Sequence, residues 1–188
     1  MTDRIQFRLA SQESDLFKIL QLQQCNLPAQ LSSEVIADQG FVTVEHSLEM
    51  LQRMHRAAPS ILAYDGTALA GYALAMTRDF GQDIPVLVPM FELLDNLMWD
   101  GRRLGDLRYI VVGQVCVAAP YRGQGVFDGL YRVYSRYYRD QYEVLVTEIA
   151  TRNTRSLAAH KRIGFEIIHH FQAPDGENWE IVLWDWAG

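Results

Sequence analysis

The most informative stretch of this 188-residue sequence is a glycine-containing turn that joins an apolar run to an amphipathic one. Residues 107–118 are rich in Val and Ile and predict a buried strand, whereas residues 123–139 carry apolar side chains at helical spacing. Between them, Arg122 precedes Gly123 and Gly125. Glycine lets the backbone approach a ligand closely, and the free amides and dipole at a helix start favour an anion. The turn therefore predicts a phosphate site, which a pyrophosphate would fit.

A second residue that could do chemistry is Glu148, in a run that predicts another strand at residues 143–150. Val144 and Val146 lie on the same side of that strand and are apolar. A carboxylate in such surroundings costs free energy unless it has a task or a partner. Two interpretations follow: Glu148 is a functional carboxylate, or it is a structural one paired with a nearby arginine such as Arg152.

The glycine spacing also fits another ligand class. Gly123-x-Gly125-x-x-x-Gly129 resembles a dinucleotide fingerprint, and Glu148 follows at about the distance of a ribose contact. Three features argue against that interpretation. The residues Pro120-Tyr121-Arg122 separate the strand from the glycines, the turn lies two-thirds along the chain, and no run of βαβ units surrounds it.

The elements that must position these residues are predicted from apolar patterns of period 2 and of helical period. The turn signal Asp65-Gly66 joins two of the strands as a hairpin, and Gly164 is placed to end a helix in a left-handed conformation. Strands are predicted at 5–9, 61–64, 68–76, 107–118, 143–150, 165–172 and 179–184, and helices before Pro28, in two pieces over 32–58 broken at Gly40, at 123–139 and at 153–163.

Residues 77–106 interrupt this regular pattern. They contain Pro85 and Pro89 and then a short predicted helix through Phe91, Leu94 and Met98. The segment is interpreted as an inserted substrate wall or lid, or alternatively as a capping helix without ligand contact. Its acidic residues would suit a cationic or aromatic amine if it walls a site, and otherwise form a solvated face; they are Asp79, Asp83, Glu92, Asp95 and Asp100.

Composition excludes several partners. The 17 Lys+Arg and 23 Asp+Glu give a net charge of −6, so no basic field exists to hold a nucleic acid or an anionic membrane. No segment reaches the ~18 apolar residues of a membrane span, and no secretory signal begins the chain. Two distant cysteines, Cys25 and Cys116, indicate reduced thiols in a cytoplasmic protein, and Cys116 is interpreted as a core residue rather than a nucleophile. No metal site is predicted, because no ligand spacing is present.

Two motifs together resemble one family. The first is Val115-x-Val117-x-x-Pro120-x-Arg122-Gly123-x-Gly125-Val126, and the second is Glu148-Ile149-x-x-x-Asn153-x-x-Ser156-Leu157-x-x-His160-x-x-x-Gly164-Phe165. The first is similar to the acetyl-CoA pyrophosphate loop of the GNAT superfamily of N-acetyltransferases, whose signature Gln/Arg-x-x-Gly-x-Gly/Ala begins here at Arg122. Phe127 stands where the family usually has Gly or Ala. The second is similar to the strand, helix and Gly-Phe pair that follow this loop.

The resemblance implies a fold and a reaction. The fold is α/β, a single GNAT-like domain over 1–188 with a mixed, twisted sheet of about seven strands and helices on both faces. The reaction moves an acetyl group from acetyl-CoA to a primary amine of a small molecule or peptide, by direct attack in a ternary complex. The implied cofactor contacts are the amides of Arg122, Gly123, Gln124, Gly125, Val126 and Phe127 for the pyrophosphate, and Val115, Cys116, Val117 and Asn153 for the pantetheine arm.

The resemblance also implies catalytic roles. Glu148 occupies the position of the base, the amide of Val117 would polarise the thioester carbonyl, and His160 replaces a tyrosine that protonates the thiolate of CoA. An imidazolium with a pKa near ~6.5 could donate to a thiolate whose pKa is near ~8.5. The alternatives are a helix-surface His160 without a role and an Asn153 that caps its helix. The Phe127 and His160 departures also leave open a non-catalytic acyl-CoA sensor or scaffold of the same fold.

Overall fold

The structure is a computed structural model that describes residues 5–30, 41–42, 44–82 and 87–186. Within these ranges the chain forms nine strands and six α-helices. The strands are β1 Ile5–Leu9, β2 Ile61–Asp65, β3 Ala68–Thr77, β4 Met98–Trp99, β5 Arg102–Arg103, β6 Tyr109–Val117, β7 Val144–Ala150, β8 Glu166–Gln172 and β9 Asn178–Asp185. The helices are α1 Glu13–Gln24, α2 Leu48–Ala57, α3 Arg78–Gln82, α4 Val88–Asn96, α5 Val126–Tyr138 and α6 Thr154–Ile163.

Seven of the strands form one mixed sheet in the order β1-β2-β3-β6-β7-β9-β8, and β4 and β5 form a separate hairpin. Strands β6 and β7 run parallel, with Tyr109 opposite Val144 and Val111 opposite Val146. Antiparallel pairs join β1 to β2, β2 to β3, β7 to β9 and β8 to β9. The predicted α/β class with a mixed sheet of about seven strands is confirmed.

The chain divides into two compact units, the first being Met1–Ala75 with Gly113–Tyr137 and the second Met76–Val112 with Tyr138–Gly188. In the first unit, Asp15 near the start of α1 is buried but accepts hydrogen bonds from Arg8 Nη2 at 2.6 Å and from the Tyr64 hydroxyl at 2.8 Å. Burial alone would raise the pKa of Asp15, and these bonds, with those from the amides of Ser11 and Gln12, bring it well below its ordinary value. The network holds the start of α1 against the antiparallel pair of β1 and β2.

Most predicted elements are confirmed. The Asp65-Gly66 turn has Gly66 at φ +57°, and Gly164 ends α6 in the left-handed region at φ +119°. The second of the two helical pieces predicted over 32–58 is α2, whose apolar face buries Leu51 and Met54. The first piece and its break at Gly40 fall in residues 31–40, outside the described residues.

The segment 77–106 belongs to the second unit and contains two short helices and the hairpin of β4 and β5. Phe91 and Leu94 are buried in α4 as predicted, but the prediction that Met98 continues this helix is wrong. Helix α4 ends at Asn96, and Met98 pairs with Arg103 in the hairpin, where 57% of it is exposed. A turn at residues 100–101 with positive φ at both positions drives this pairing. Asp83 lies outside the described residues.

Candidate functional site

The glycine-containing turn lies in the first unit, between the end of β6 and the start of α5. Strand β6 ends at Val117, a 3₁₀ turn follows over Ala119–Tyr121, and α5 begins at Val126. Gly123 and Gly125 have φ of +74° and +78°, and a Cβ at either would meet nothing within 4 Å. Their backbone conformation, rather than close packing, therefore requires glycine at these positions.

The turn presents a row of free donors. The amides of residues 123–126 have no backbone hydrogen-bond partner among the described residues, whereas the Gly129 amide donates to Gly125 O at 2.9 Å. Four consecutive N–H groups at the positive end of a helix dipole form an anion site. They are four of the six amides, those of residues 122–127, that the resemblance implies for the pyrophosphate, and their contact with it stays a prediction.

Arg122 makes its bonds inside the protein. Its Nε donates to Val117 O at 3.1 Å, and its Nη2 donates to Asn26 Oδ1 at 2.6 Å. Its amide donates to Ala119 O at 3.3 Å. The guanidinium therefore links the turn to the end of β6 and to Asn26, two residues after the end of α1. Contact of the Arg122 amide with a pyrophosphate stays a prediction.

The stretch of β6 before the turn is packed on one side. Cys116 is buried, and burial raises the pKa of its thiol to about 12, so the thiolate is scarce at neutral pH and Cys116 is a core residue as predicted. Strand β3 approaches closely here, because a Cβ on Gly71 would lie 2.9 Å from Cys116 O. Backbone binding of a pantetheine arm by Val115, Cys116 and Val117 stays a prediction.

Packing at the start of α5 accounts for two further residues of the motif. Phe127, at the position where the family motif has Gly or Ala, packs its ring 4.9 Å from that of Tyr131. Gly129 faces the ring of Phe7, whose Cζ would lie 2.1 Å from a Cβ there. Gly129 thus serves the packing of β1 on α5, and no dinucleotide is needed to account for it.

Glu148 lies in β7 of the second unit, opposite Ile181 of β9. Its Oε1 is buried without a hydrogen-bond partner among the described residues, and burial raises the pKa of the carboxyl to about 7. The proposed structural partner is engaged elsewhere, since Arg152 Nε bonds to Glu177 Oε2 at 2.7 Å. A carboxyl that titrates near neutral pH is suited to taking a proton from an ammonium group.

Asn153 caps α6. Its side-chain oxygen accepts the Ser156 amide at 3.2 Å, so the capping interpretation is confirmed. A contact of Asn153 with CoA stays a prediction.

Substitution of Asn153 separates these two roles. Asn153→Ala is expected to lower the free energy of unfolding by about 1 kcal/mol, because the cap is lost, and Asn153→Ser is expected to restore it. Denaturant unfolding measures this. If the amide also binds the CoA arm, Asn153→Ser has wild-type stability but weaker CoA binding in calorimetry; equal CoA affinities would leave Asn153 with the cap alone.

His160 is only 1% exposed, which excludes the interpretation of a helix-surface histidine. Its Nδ1 is 2.8 Å from Ser156 O and its ring meets that of Phe165 edge-on at 5.0 Å. Because a carbonyl oxygen can only accept a hydrogen bond, the proton of the neutral ring lies on Nδ1 and Nε2 is unprotonated. Burial lowers the pKa of His160 to about 4, which makes the imidazolium scarce at pH 7. The acid role of His160 stays a prediction.

The buried neutral His160 should make the protein sensitive to acid. The unfolded chain binds a proton near pH 6.5 and the folded chain only near 4, so stability is full above pH 6.5 and falls as pH drops toward 4, by on the order of 2–3 kcal/mol. In His160→Phe this loss of stability should be smaller in thermal melts from pH 4 to 7.5.

The activity of the same variant at pH 7 tests the acid step. A kcat below one-tenth of the wild-type value would support His160 as the acid.

Neither a metal centre nor a membrane-spanning helix is found in the described residues. They contain no group of three or more His, Cys, Asp or Glu side chains arranged to hold a metal ion. None of the helices in the described part of the chain combines the length and apolarity needed to cross a membrane.

The sequence did not predict the partners of the turn. Asn26, which receives the Arg122 guanidinium, is 96 residues away along the chain. Gln114, whose Nε2 donates to Val44 O at 2.8 Å, is predicted from the sequence only as part of a strand. Both are buried polar residues, and a buried side-chain amide with a long-range partner has no local sequence pattern.

Comparison with known proteins adds a family. The sequence matches the model of the acetyltransferase (GNAT) family over residues 19–165. No protein with a curated description matches it.

Solved structures share the fold at low identity. The ribosomal-protein-S18-alanine N-acetyltransferase from Escherichia coli is 12% identical with a TM-score of 0.64, covering 98% of this chain and 95% of that one. The putative acetyltransferase yncA from Salmonella typhimurium, solved with its cofactor acetyl-CoA, is 15% identical with a TM-score of 0.62 over 98% and 95%. Arabidopsis thaliana NAA60, in complex with acetyl-CoA, is 17% identical with a TM-score of 0.61 over 96% and 99%.

Proposed function

Because the chain belongs to the GNAT family of acetyltransferases, we propose that it transfers an acetyl group from acetyl-CoA to a primary amine of a small molecule or peptide. Acetyl-CoA is the cofactor in two of the similar structures, and the acceptor in the Escherichia coli enzyme is an alanine of a ribosomal protein. These similarities support the donor and the class of acceptor.

The observation that carries the proposal is the row of unpaired amides at residues 123–126. A pyrophosphate carries negative charge over several oxygens, and each amide offers one donor to it without a side chain in the way, because both glycines face open space.

The chemistry then needs a base and an oxyanion donor. We assign the base to Glu148, whose carboxylate takes the proton of the acceptor ammonium, directly or through water. The neutral amine attacks the thioester carbon, the Val117 amide stabilises the oxyanion, and the C–S bond breaks as the amide forms. Nitrogen loses two protons in all: the first goes to Glu148 and then to water, and the second is lost as the amide forms and is balanced by the proton that the departing thiolate takes up to leave as CoA.

Calorimetry with CoA and thiol release from acetyl-CoA across a panel of amines test the function. We expect micromolar to submicromolar CoA binding and turnover with at least one amine class. Binding without turnover on any amine would favour the sensor or scaffold module of the same fold. A chain whose melting temperature rises with NADP(H) and not with CoA would instead support the dinucleotide interpretation and overturn the proposal.

A further inference from the structure

A short segment that precedes α2 is held by its main chain to three buried polar residues of the first unit. We call residues 42 and 44–46 the anchored segment. The Val42 amide donates to Asn26 O at 3.2 Å, and Val44 O accepts from Gln114 Nε2 at 2.8 Å. At His46, the amide donates to Gln23 Oε1 at 3.1 Å, and Gln23 Nε2 donates back to the carbonyl at 3.2 Å. Alternate residues are thus fixed by main-chain bonds.

The three residues that anchor the segment are polar and buried, which costs free energy unless their polar groups are hydrogen-bonded. Gln23, Asn26 and Gln114 are all buried, and each makes a side-chain or main-chain hydrogen bond to the anchored segment. Gln114 is itself oriented by the Tyr72 hydroxyl, which donates to its Oε1 at 2.5 Å. In contrast, the Val44 side chain is 45% exposed. The bonds therefore fix the path of the segment while leaving an apolar side chain available on its surface.

The same anchors reach the glycine-containing turn. Arg122 Nη2 donates to Asn26 Oδ1, and the carbonyl of Asn26 receives the Val42 amide. Arg122 Nε bonds to Val117 O, and Gln114 lies one residue before the stretch 115–117 proposed to hold the pantetheine arm. One residue, Asn26, thus contacts both the turn and the anchored segment.

We propose that Arg122 and Asn26 are positioning residues that couple the turn to the anchored segment, so that CoA bound at the turn restrains the path of that segment. This rests on the proposed function, because it requires CoA to bind at residues 123–126. When phosphate oxygens occupy those amides, the turn loses freedom, the Arg122 fork is held at Asn26, and opening of the segment becomes costlier. A lysine could not replace the fork, because one ammonium cannot span both acceptors as a planar guanidinium does.

Amide hydrogen exchange of the full chain, with and without saturating CoA, measures the coupling without knowledge of the acceptor. In the wild type we expect CoA to slow exchange at residues 123–126 and also at the amides of Val42 and His46, the latter by about fivefold or more, as for a typical coupling between sites. In Asn26→Leu, CoA should still protect the turn, but the slowing at Val42 and His46 should disappear.

Three comparisons make the result specific. The double variant Arg122→Met/Asn26→Leu should behave as either single variant, because the two residues act as one link. Asn26→Asp, which keeps an oxygen for Arg122, should retain the slowing. Arg136→Met is the matched control, since Arg136 is exposed on α5 and makes no bond among the described residues.

Two results would overturn the inference. One is protection of the turn by CoA with unchanged exchange at Val42 and His46 in the wild type. The other is additive losses of CoA affinity in the double variant, which would mean that Arg122 contacts the phosphates by itself. A wild-type chain that does not bind CoA at all would overturn the proposed function, and is distinguished by the absence of protection at residues 123–126.

Discussion

Glu148→Gln is expected to lower kcat by about 10²–10³-fold with little change in CoA affinity, because general bases contribute about 10²–10⁴-fold to rates. The amide is nearly the same size as the carboxyl but cannot take a proton. The loss is measured by thiol release with a cognate amine at saturating acetyl-CoA. Wild-type turnover by this variant would remove Glu148 as the base.

The pH profile gives an independent measure of the same role. The pKa of Glu148 is raised to about 7 by burial, so the basic form accumulates as pH rises through 7. The kcat/KM of the wild type should therefore rise over pH 6 to 8, and the limb that reports Glu148 should be absent in Glu148→Gln. Glu166→Gln is the matched control: Glu166 is exposed on β8, and its loss should leave the limb unchanged.

The buried carboxyl should also cost stability. A carboxyl whose folded pKa is higher than its unfolded pKa favours the folded state less and less as pH rises from 4.5 to 7. Glu148→Gln should then be more stable than the wild type at pH 8, by on the order of 1–3 kcal/mol, and the gain should vanish near pH 4.5. A gain in stability with a loss in kcat is typical of a group kept for function.

The features that could be predicted from the sequence are those that depend on neighbouring residues in the chain. The turn at Gly123 and Gly125, the end of α6 at Gly164 and the cap at Asn153 each depend on the conformation of one or two residues and on neighbours within one helical turn. Such features follow from glycine geometry and from orphan amides. The chemistry of the turn could be anticipated for the same reason.

What could not be predicted depends on distant contacts. The Arg122 guanidinium is oriented by its hydrogen bond to Asn26. The His160 ring packs against Phe165. The helix that apolar spacing predicts through Met98 ends earlier, because Met98 pairs with Arg103 across a hairpin turn that begins two residues later. Apolar spacing alone does not show whether a histidine on a helix is exposed or buried, because burial depends on which other elements cover that face of the helix. The pKa of His160 therefore had to come from the structure.

Gly125→Ala is expected to weaken CoA binding by about 100-fold and to raise the KM for acetyl-CoA accordingly, while kcat at saturation changes little. A side chain at φ +78° costs about 1–2 kcal/mol in the left-handed region, and relief of that strain rotates the adjacent peptide groups. Loss of one or two charge-assisted hydrogen bonds to phosphate accounts for the expected change in affinity. Calorimetry with CoA measures it.

The control separates strain from binding. Gly176 also has positive φ, +89°, and open space around its Cβ, but it lies in the turn between β8 and β9 of the second unit. Gly176→Ala should lose a similar amount of stability and keep its CoA affinity. If both variants lose affinity equally, stability rather than the turn amides controls binding, and the anion site at residues 123–126 is disproved. Gly125→Ala acting on KM and Glu148→Gln acting on kcat would separate cofactor binding at the turn from proton transfer at Glu148.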